Sequence, residues 1–257
     1  MKKIEKIALK ATKLASQKLI KIYQNFDRGD IKMKSPHEIV SYADILSEKI
    51  IISEIKKHFP CHHILSEEQG DNNQKSDYTW IIDPIDGTTN FTMKNPLWAI
   101  SVGLLYKKDV VFGIVHAPIL NETYIAYKNK GAFLNNKKIR VSKIKKDKVL
   151  NTFCHGSKKE DIKKATKYYQ KQKENNFDCR QLGSASIELA YVASGRIESI
   201  TIPGANSWDV AAGTLLVSEA GGKVTDFNNK KWMTKSKDMI ASNGLVHNQI
   251  IKTIKNI

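Results

Sequence analysis

The chain has 257 residues, 41% hydrophobic and 26% charged, enough for one large domain or two halves sharing an interface. No run approaches the ~20 apolar residues of a membrane-spanning helix, and three widely spaced cysteines, Cys61, Cys154 and Cys179, give neither a CxxC zinc pair nor a disulfide framework. The net charge of +16, spread along the chain, admits a nucleic-acid partner, a membrane surface or a generally basic exterior.

Met1-Lys2-Lys3-Ile4-Glu5 has no apolar signal region, so a cytoplasmic protein with reduced cysteines is expected. Residues 4–26 read as an amphipathic helix with Ile4, Ile7, Ala8, Ala11, Leu14, Ala15, Leu19, Ile22 and Phe26 on one face. Its lysines fit a solvated face better than a membrane anchor. A second helix is expected over 41–58, with Ile45, Ile51, Ile52 and Ile55 as its apolar stripe, stopping before Phe59-Pro60. A polar loop covers 71–77. Tyr78-Thr79-Trp80-Ile81-Ile82 reads as a strand that stops at Asp83-Pro84. Residues 97–106 and 110–116 form a hairpin turning at Lys107-Lys108-Asp109, with further strands at 122–127 and 132–134. The basic stretch 137–148 links an α+β half, 1–148, to an α/β half, 149–257. In the second half, helices are expected over 159–173, 184–194 and from 207 to Gly221-Gly222, with strands at 197–202 and 223–227.

Three segments carry acids beside turn residues: Ser66-Glu67-Glu68, Asp83-Pro84-Ile85-Asp86-Gly87-Thr88-Thr89, and Trp208-Asp209. A strand delivers Asp83, Pro84 stiffens the turn, and Asp86 follows three residues on, so both carboxylates can converge. Gly87 admits close backbone approach, and Thr88-Thr89 opens a helical turn whose free N–H groups favour phosphate. Each segment alone is an ordinary turn, solvated loop or helix start. Together, carboxylates brought to one point repel, and leaving them ionised needs a cation; hard oxygen donors select Mg²⁺ or Mn²⁺.

Residues 80–91 and 208–222 resemble the two signatures of the inositol monophosphatase family, which includes bacterial SuhB-type proteins and is related to fructose-1,6-bisphosphatases and phosphoadenosine phosphatases. Gly131-Ala132-Phe133-Leu134-Asn135, Val141-Ser142 and the run from Arg180 through Gly183-Ser184-Ala185 to Gly195-Arg196 extend the resemblance over nearly the whole chain. It implies a layered α-β-α-β-α sandwich of the sugar-phosphatase type. It also implies two or three Mg²⁺ ions held by Glu67, Asp83, the Ile85 carbonyl, Asp86 and Asp209. Phosphate would meet the N–H groups of Gly87 and Thr88, and Thr88 with Asp44 would orient the attacking water. Arg180, Ser184, Ala185, Asp86 and Asp209 would lie near substrate. The implied reaction is in-line hydrolysis of a small phosphate monoester by metal-activated water, sensitive to lithium, in a homodimer. A SuhB-like regulator of RNA polymerase or RNA is the alternative that the resemblance and the basic charge leave open.

Four departures from the pattern stand out. Ile202, seven positions before Asp209, replaces an acidic residue that touches the inositol ring in the family. The ester is therefore open among inositol phosphate, another sugar phosphate, a nucleotide such as phosphoadenosine phosphate or NADP, and histidinol phosphate. Glu38 and Ser41 replace the commoner Asp and Thr. His116 stands before Ala117-Pro118 and reads as structural.

Overall fold

The first helix packs most of its apolar stripe inward, partly against the second: Ile7, Ala8, Ala11, Ala15 and Leu19 are buried, but Leu14, expected on the same face, is 39% exposed. The computed structural model describes residues 1–25, 32–35, 38–40, 42–145 and 148–257, with segments 32–35 and 38–40 described as backbone alone. Phe26, Ser41 and the Glu38 side chain lie outside the described residues.

In chain order the elements are α1 (Lys2–Asn25), β1 (Lys32–Ser35), β2 (Glu38–Val40), α2 (Tyr42–His58), β3 (His63–Ser66), β4 (Gly70–Asp71), β5 (Tyr78–Asp86), α3 (Thr88–Thr92), β6 (Ala99–Tyr106), β7 (Asp109–Ala117), β8 (Glu122–Tyr127), β9 (Gly131–Leu134) and β10 (Lys137–Lys138). There follow β11 (Leu150–Phe153), α4 (Lys159–Glu174), β12 (Asp178–Arg180), α5 (Ala185–Ala193), β13 (Ser199–Pro203), α6 (Ser207–Glu219), β14 (Lys223–Thr225), β15 (Asp238–Ser242) and α7 (His247–Lys255).

Two sheets carry the architecture. An eight-stranded sheet runs β10-β9-β8-β7-β6-β5-β3-β4, and a five-stranded sheet runs β12-β11-β13-β15-β14. Helices α1 and α2 cover the outer face of the first, α5 and α6 fill the space between the sheets, and α4 and α7 cover the outer face of the second. This is the expected α-β-α-β-α sandwich.

Two further local expectations are corrected. Ile45 is 52% exposed and does not belong to the buried stripe of α2. The inward face runs Asp44, Glu48, Ile51, Ile55 at helical spacing, so its first turns bury acids, at 1% and 0% exposure for Asp44 and Glu48. Strand β5 does not stop at Asp83-Pro84 but continues to Asp86, with a register shift between Asp83 and Asp86 opposite β6. A bulge accommodates a proline that has no N–H for the ladder. Among the described residues, no helix is long and apolar enough to cross a membrane.

His247 shows what the second core costs in acid. It is fully buried between Thr225 Oγ1 (2.9 Å) and Ser242 Oγ (2.8 Å). Burial, with a smaller push from Lys223, lowers its pKa from 6.5 to about 4. Below pH 6.5 the unfolded chain therefore binds the proton first. The stability His247 contributes is complete above pH 6.5 and drains away as pH falls towards 4, by about 2 kcal/mol after discounting solvent screening. Comparing the thermal unfolding of wild type with His247→Gln across this window isolates the effect, and the variant's curve should be flatter. Parallel curves would refute the assignment.

Candidate active site

Strand β5 places the central carboxylate by simple alternation. Ile81 packs on Ala211 of α6, so Asp83, two residues on, emerges on the same side, next to the start of α6 where Asp209 sits. Asp83 Oδ1 accepts from the Ile85 N–H at 3.0 Å, which folds the bulge back on itself. After the bulge Asp86 points towards the N-terminus of α5. It accepts from Ser184 Oγ and Ser186 Oγ (2.5 Å each), Ser186 N (2.7 Å) and Ala185 N (3.2 Å). A carboxylate at a helix start is favoured by the free N–H groups there. Asp209 Oδ2 accepts from the N–H and side-chain amide of Asn206 at 3.2 and 3.3 Å.

Gly87 turns the chain at φ +90°, and a Cβ there would lie 3.0 Å from Leu97 O and 3.2 Å from Gly183 O. Only glycine fits both that backbone angle and that gap. Thr88 follows as the first residue of α3. Its hydroxyl lies 3.1 Å from Asp44 Oδ1 and 3.0 Å from Ile85 O, so its proton is directed inward. Asn90 then ties the turn to the opposite wall, its amide donating to Leu97 O (2.6 Å) and Leu182 O (2.8 Å).

These residues meet at an open cavity of about 320 Å³, whose lining includes Glu67, Asp83, Ile85, Asp86, Gly87, Thr88, Ala185 and Asp209. Arg180 is not in the lining. It is exposed, at the end of β12, with Nη1 donating to Cys179 O at 3.0 Å. Ser184 is fully buried behind Asp86. Ile202 does face the cavity, so an apolar wall stands where the resemblance expects an acid. The sequence reading missed His155, Gln181, Asn90 and Asn206 in the lining. His155 and Gln181 sit in loops after β11 and β12, and no motif marks such positions.

The electrostatics are one-sided. Asp83 is held well above the ordinary carboxylate range, first by burial and then by repulsion from Glu67, Asp86, Asp209 and Asp44. Asp209 is raised well above it too, by burial and then by Asp86 and Glu67. Burial raises Asp86, against the pull of its serine hydrogen bonds. Among the described residues the lining contains no lysine or arginine, although the chain carries a charge of +16. Nor, among them, do three His, Cys, Asp or Glu side chains close into a ready-made metal cage. Asp86 and Asp209 are instead turned to their hydrogen-bond partners. The donor set nonetheless fits a hard divalent cation: crowded oxygens and no fixed positive charge to balance them, with the one thiol of the lining, Cys154, kept protonated by burial and donating to Glu188 Oε1.

A model of the inositol monophosphatase family matches residues 1–257, the whole chain. The chain belongs to the inositol monophosphatase family. It is 39% identical over 220 residues to a fructose-1,6-bisphosphatase/inositol-1-monophosphatase of Thermotoga maritima, covering 86% of this chain and 84% of that protein. It is 37% identical over 252 residues to a putative Nus factor SuhB of Neisseria meningitidis, covering 96% of each. The crystal structure of the extragenic suppressor protein SuhB of Bartonella henselae superposes with a TM-score of 0.91 at 30% identity, covering 98% of each chain. Family membership accounts for the sandwich and for the three acidic segments that meet at the cavity.

Proposed function

We propose that this protein is a cytoplasmic, homodimeric, Mg²⁺-dependent phosphatase that hydrolyses the monoester of a small soluble metabolite. The observation that carries the reading is the all-acidic cavity of a strongly basic chain: four carboxylates and no counter-charge. Glu67, Asp83, the Ile85 carbonyl, Asp86 and Asp209 would hold two or three Mg²⁺ ions, with Mn²⁺ able to substitute. Bound there, the ions would neutralise the phosphoryl oxygens and make water a better nucleophile.

The protein's own groups do the rest. Gly87 and Thr88 line the cavity, and their N–H groups would meet the phosphate there. Asp44 takes the Thr88 hydroxyl proton's direction, which leaves the Thr88 oxygen lone pairs free to accept from a water in the cavity. A water so held would pass its proton to the Thr88 oxygen as the Thr88 proton moves to Asp44. Thr88→Ala should therefore lower kcat about 100-fold with KM little changed. A variant with wild-type kcat would remove Thr88 from the mechanism.

Ile202 makes part of the wall apolar, and esters with an apolar or aromatic face compete there with polyol phosphates. A phosphate-release screen with Mg²⁺ over inositol, sugar, nucleotide and histidinol phosphates, repeated with Li⁺ and with Asp86→Asn as control, tests the proposal. Release from at least one ester by wild type alone is expected. No release from any, or equal release by the control, would overturn it.

A second reading rests on a different surface. Phe59, His62, Tyr78 and Tyr106 form a ladder with ring centroids 4.8, 4.8 and 5.0 Å apart, with Lys3 over Phe59 and Lys107 over Tyr106, each at 5.4 Å. It lies at the Tyr78 end of β5, opposite the Asp83 end. The lysines flanking the ladder and the exposed Tyr106 suit contact with single-stranded RNA, and a relative carries the name of a putative Nus factor. Salt-dependent RNA binding that falls on Tyr106→Ala would support this reading, and salt-independent or absent binding would end it.

A further inference from the structure

Two acids that no part of the catalytic scheme uses are buried behind two different loops at the cavity. Glu48 of α2 is 0% exposed; its Oε2 accepts from the Glu68 N–H at 2.8 Å and its Oε1 from the Gln69 N–H at 2.9 Å. Glu188 of α5 is also 0% exposed, and its Oε1 accepts from the Leu182 N–H at 3.0 Å, the Gly183 N–H at 3.1 Å and Cys154 Sγ at 3.1 Å. Each glutamate thus captures two consecutive backbone N–H groups of one loop. The loop on Glu48 follows directly from Glu67. The loop on Glu188 delivers Gly183 to the lining and Ser184 to Asp86. Neither glutamate lines the cavity itself.

Burying a carboxylate is costly, and a core position at either site could be filled by an aliphatic side chain at lower cost. What an aliphatic side chain cannot do is hold a loop by its amides. We propose that Glu48 and Glu188 are a matched pair of positioning residues: Glu48 sets the metal side of the site by fixing the Glu67 loop, and Glu188 sets the substrate side by fixing the Gly183-Ser184 loop. This rests on the phosphatase reading above.

The two carboxyls are used differently, and that difference makes the pair testable. Glu48 spends both oxygens, so Glu48→Gln must turn an amide NH₂ towards one of the two loop N–H groups. Glu188 takes both loop N–H groups on Oε1, and a further polar neighbour is the Thr152 hydroxyl, which has Ser199 O as an acceptor at 3.3 Å. Glu188→Gln can keep Oε1 in place and turn its NH₂ towards the Thr152 oxygen, whose own proton has Ser199 O to go to. Glu188→Ala cannot.

The experiment uses the full-length protein with Mn²⁺ as probe, read by titration of bound Mn²⁺, by amide exchange at 68–69 and 182–183, and by kcat and KM on whichever ester the screen yields. Glu48→Gln should weaken Mn²⁺ binding about 10- to 100-fold and speed exchange at 68–69. Glu188→Ala should raise KM about tenfold and speed exchange at 182–183, with Mn²⁺ affinity lowered less than in Glu48→Gln because this loop reaches the metal side only through the Ser184–Asp86 hydrogen bond, and Glu188→Gln should restore both KM and exchange. Wild-type Mn²⁺ affinity and unchanged exchange in Glu48→Gln would overturn the proposal, as would Glu188→Gln losing as much as Glu188→Ala. If Glu188→Ala fails to fold, the two Gln variants still decide, since one must fail and the other must not. If wild type cleaves no ester, the phosphatase reading falls while Mn²⁺ binding and exchange still judge the positioning.

Discussion

Replacing Asp83 by Asn should cut turnover at least 1,000-fold and, in the metal-free protein, raise the melting temperature. The two effects have one cause. Asp83 is 2% exposed and faces Glu67, Asp86, Asp209 and Asp44, all pushing its pKa up. A carboxyl whose folded pKa lies above its unfolded value costs stability once the pH is high enough to ionise it, and that cost is absent at low pH, where the group is protonated in both states. At neutral pH without metal, Asn removes the cost and keeps an Oδ1 for the Ile85 N–H. A gain of about 1 kcal/mol or more, roughly 2–4 °C for a chain of this size, is expected. With Mg²⁺ the order reverses. Wild type gains about 2.7 kcal/mol at a hundredfold excess over Kd, and the variant gains little because a ligand is gone. Unfolding curves with chelator and with millimolar Mg²⁺ read both arms. A variant that kept Mg²⁺-dependent turnover, or that melted lower than wild type without metal, would show that the carboxylates do not share a cation. Asp209→Asn should behave alike, since Asp209 carries the same signature of burial and like charges.

The acidic cluster was legible in the sequence because spacing carries its geometry: strand, bulge and turn bring Asp83 and Asp86 together within four residues, and Trp208-Asp209 opens a helix. Asp44 and Thr88 could be placed only through the family resemblance, since nothing local says that a helix-start acid meets a hydroxyl 44 residues away. Glu48 and Glu188 were invisible. On a helical wheel they read as polar interruptions, and their partners are backbone N–H groups of distant loops, which leave no mark in side-chain identity. Ile45 misled for the complementary reason, as hydrophobic periodicity assumed that the inward face of α2 is apolar throughout. The strands β3, β11, β12 and β15 went unread because runs of three to five residues in a covered sheet lack the alternation that marks a strand. Helix α7, HNQIIKTIK, is short and polar-led, and gains its order from packing on β15 and α4.

The most severe loss of stability is expected from Gly113→Val, at a position that the sequence presents as an unremarked glycine in a hairpin. Gly103 and Gly113 pair directly across β6 and β7 and leave a trough in the sheet, into which Ala211 and Ala212 of α6 settle. A Cβ on Gly113 would stand 2.9 Å from Ala212 Cα and 3.0 Å from Ala212 O, both backbone atoms that no rotamer change can move. A Cβ on Gly103 would stand 3.3 Å from the Ala211 methyl, a contact a small shift relieves. The helix cannot retreat, because on its other side Gly213 lies under Leu189 of α5, where an added Cβ would come within 2.5 Å. Gly113→Val should therefore cost about 3 kcal/mol or more, against about 1 kcal/mol for Gly103→Ala. What survives of Gly113→Val should also turn over more slowly at saturating Mg²⁺, because α6 begins at Ser207 and any displacement of Ala212 carries Asp209 with it. Denaturant unfolding with kinetics on the folded fraction separates these effects. If the two variants proved equally stable, the trough would not be setting the height of α6. If Gly113→Val unfolded easily but kept full turnover, the seating of the helix and the placing of Asp209 would be independent, and the small residues after Trp208-Asp209 would serve packing alone.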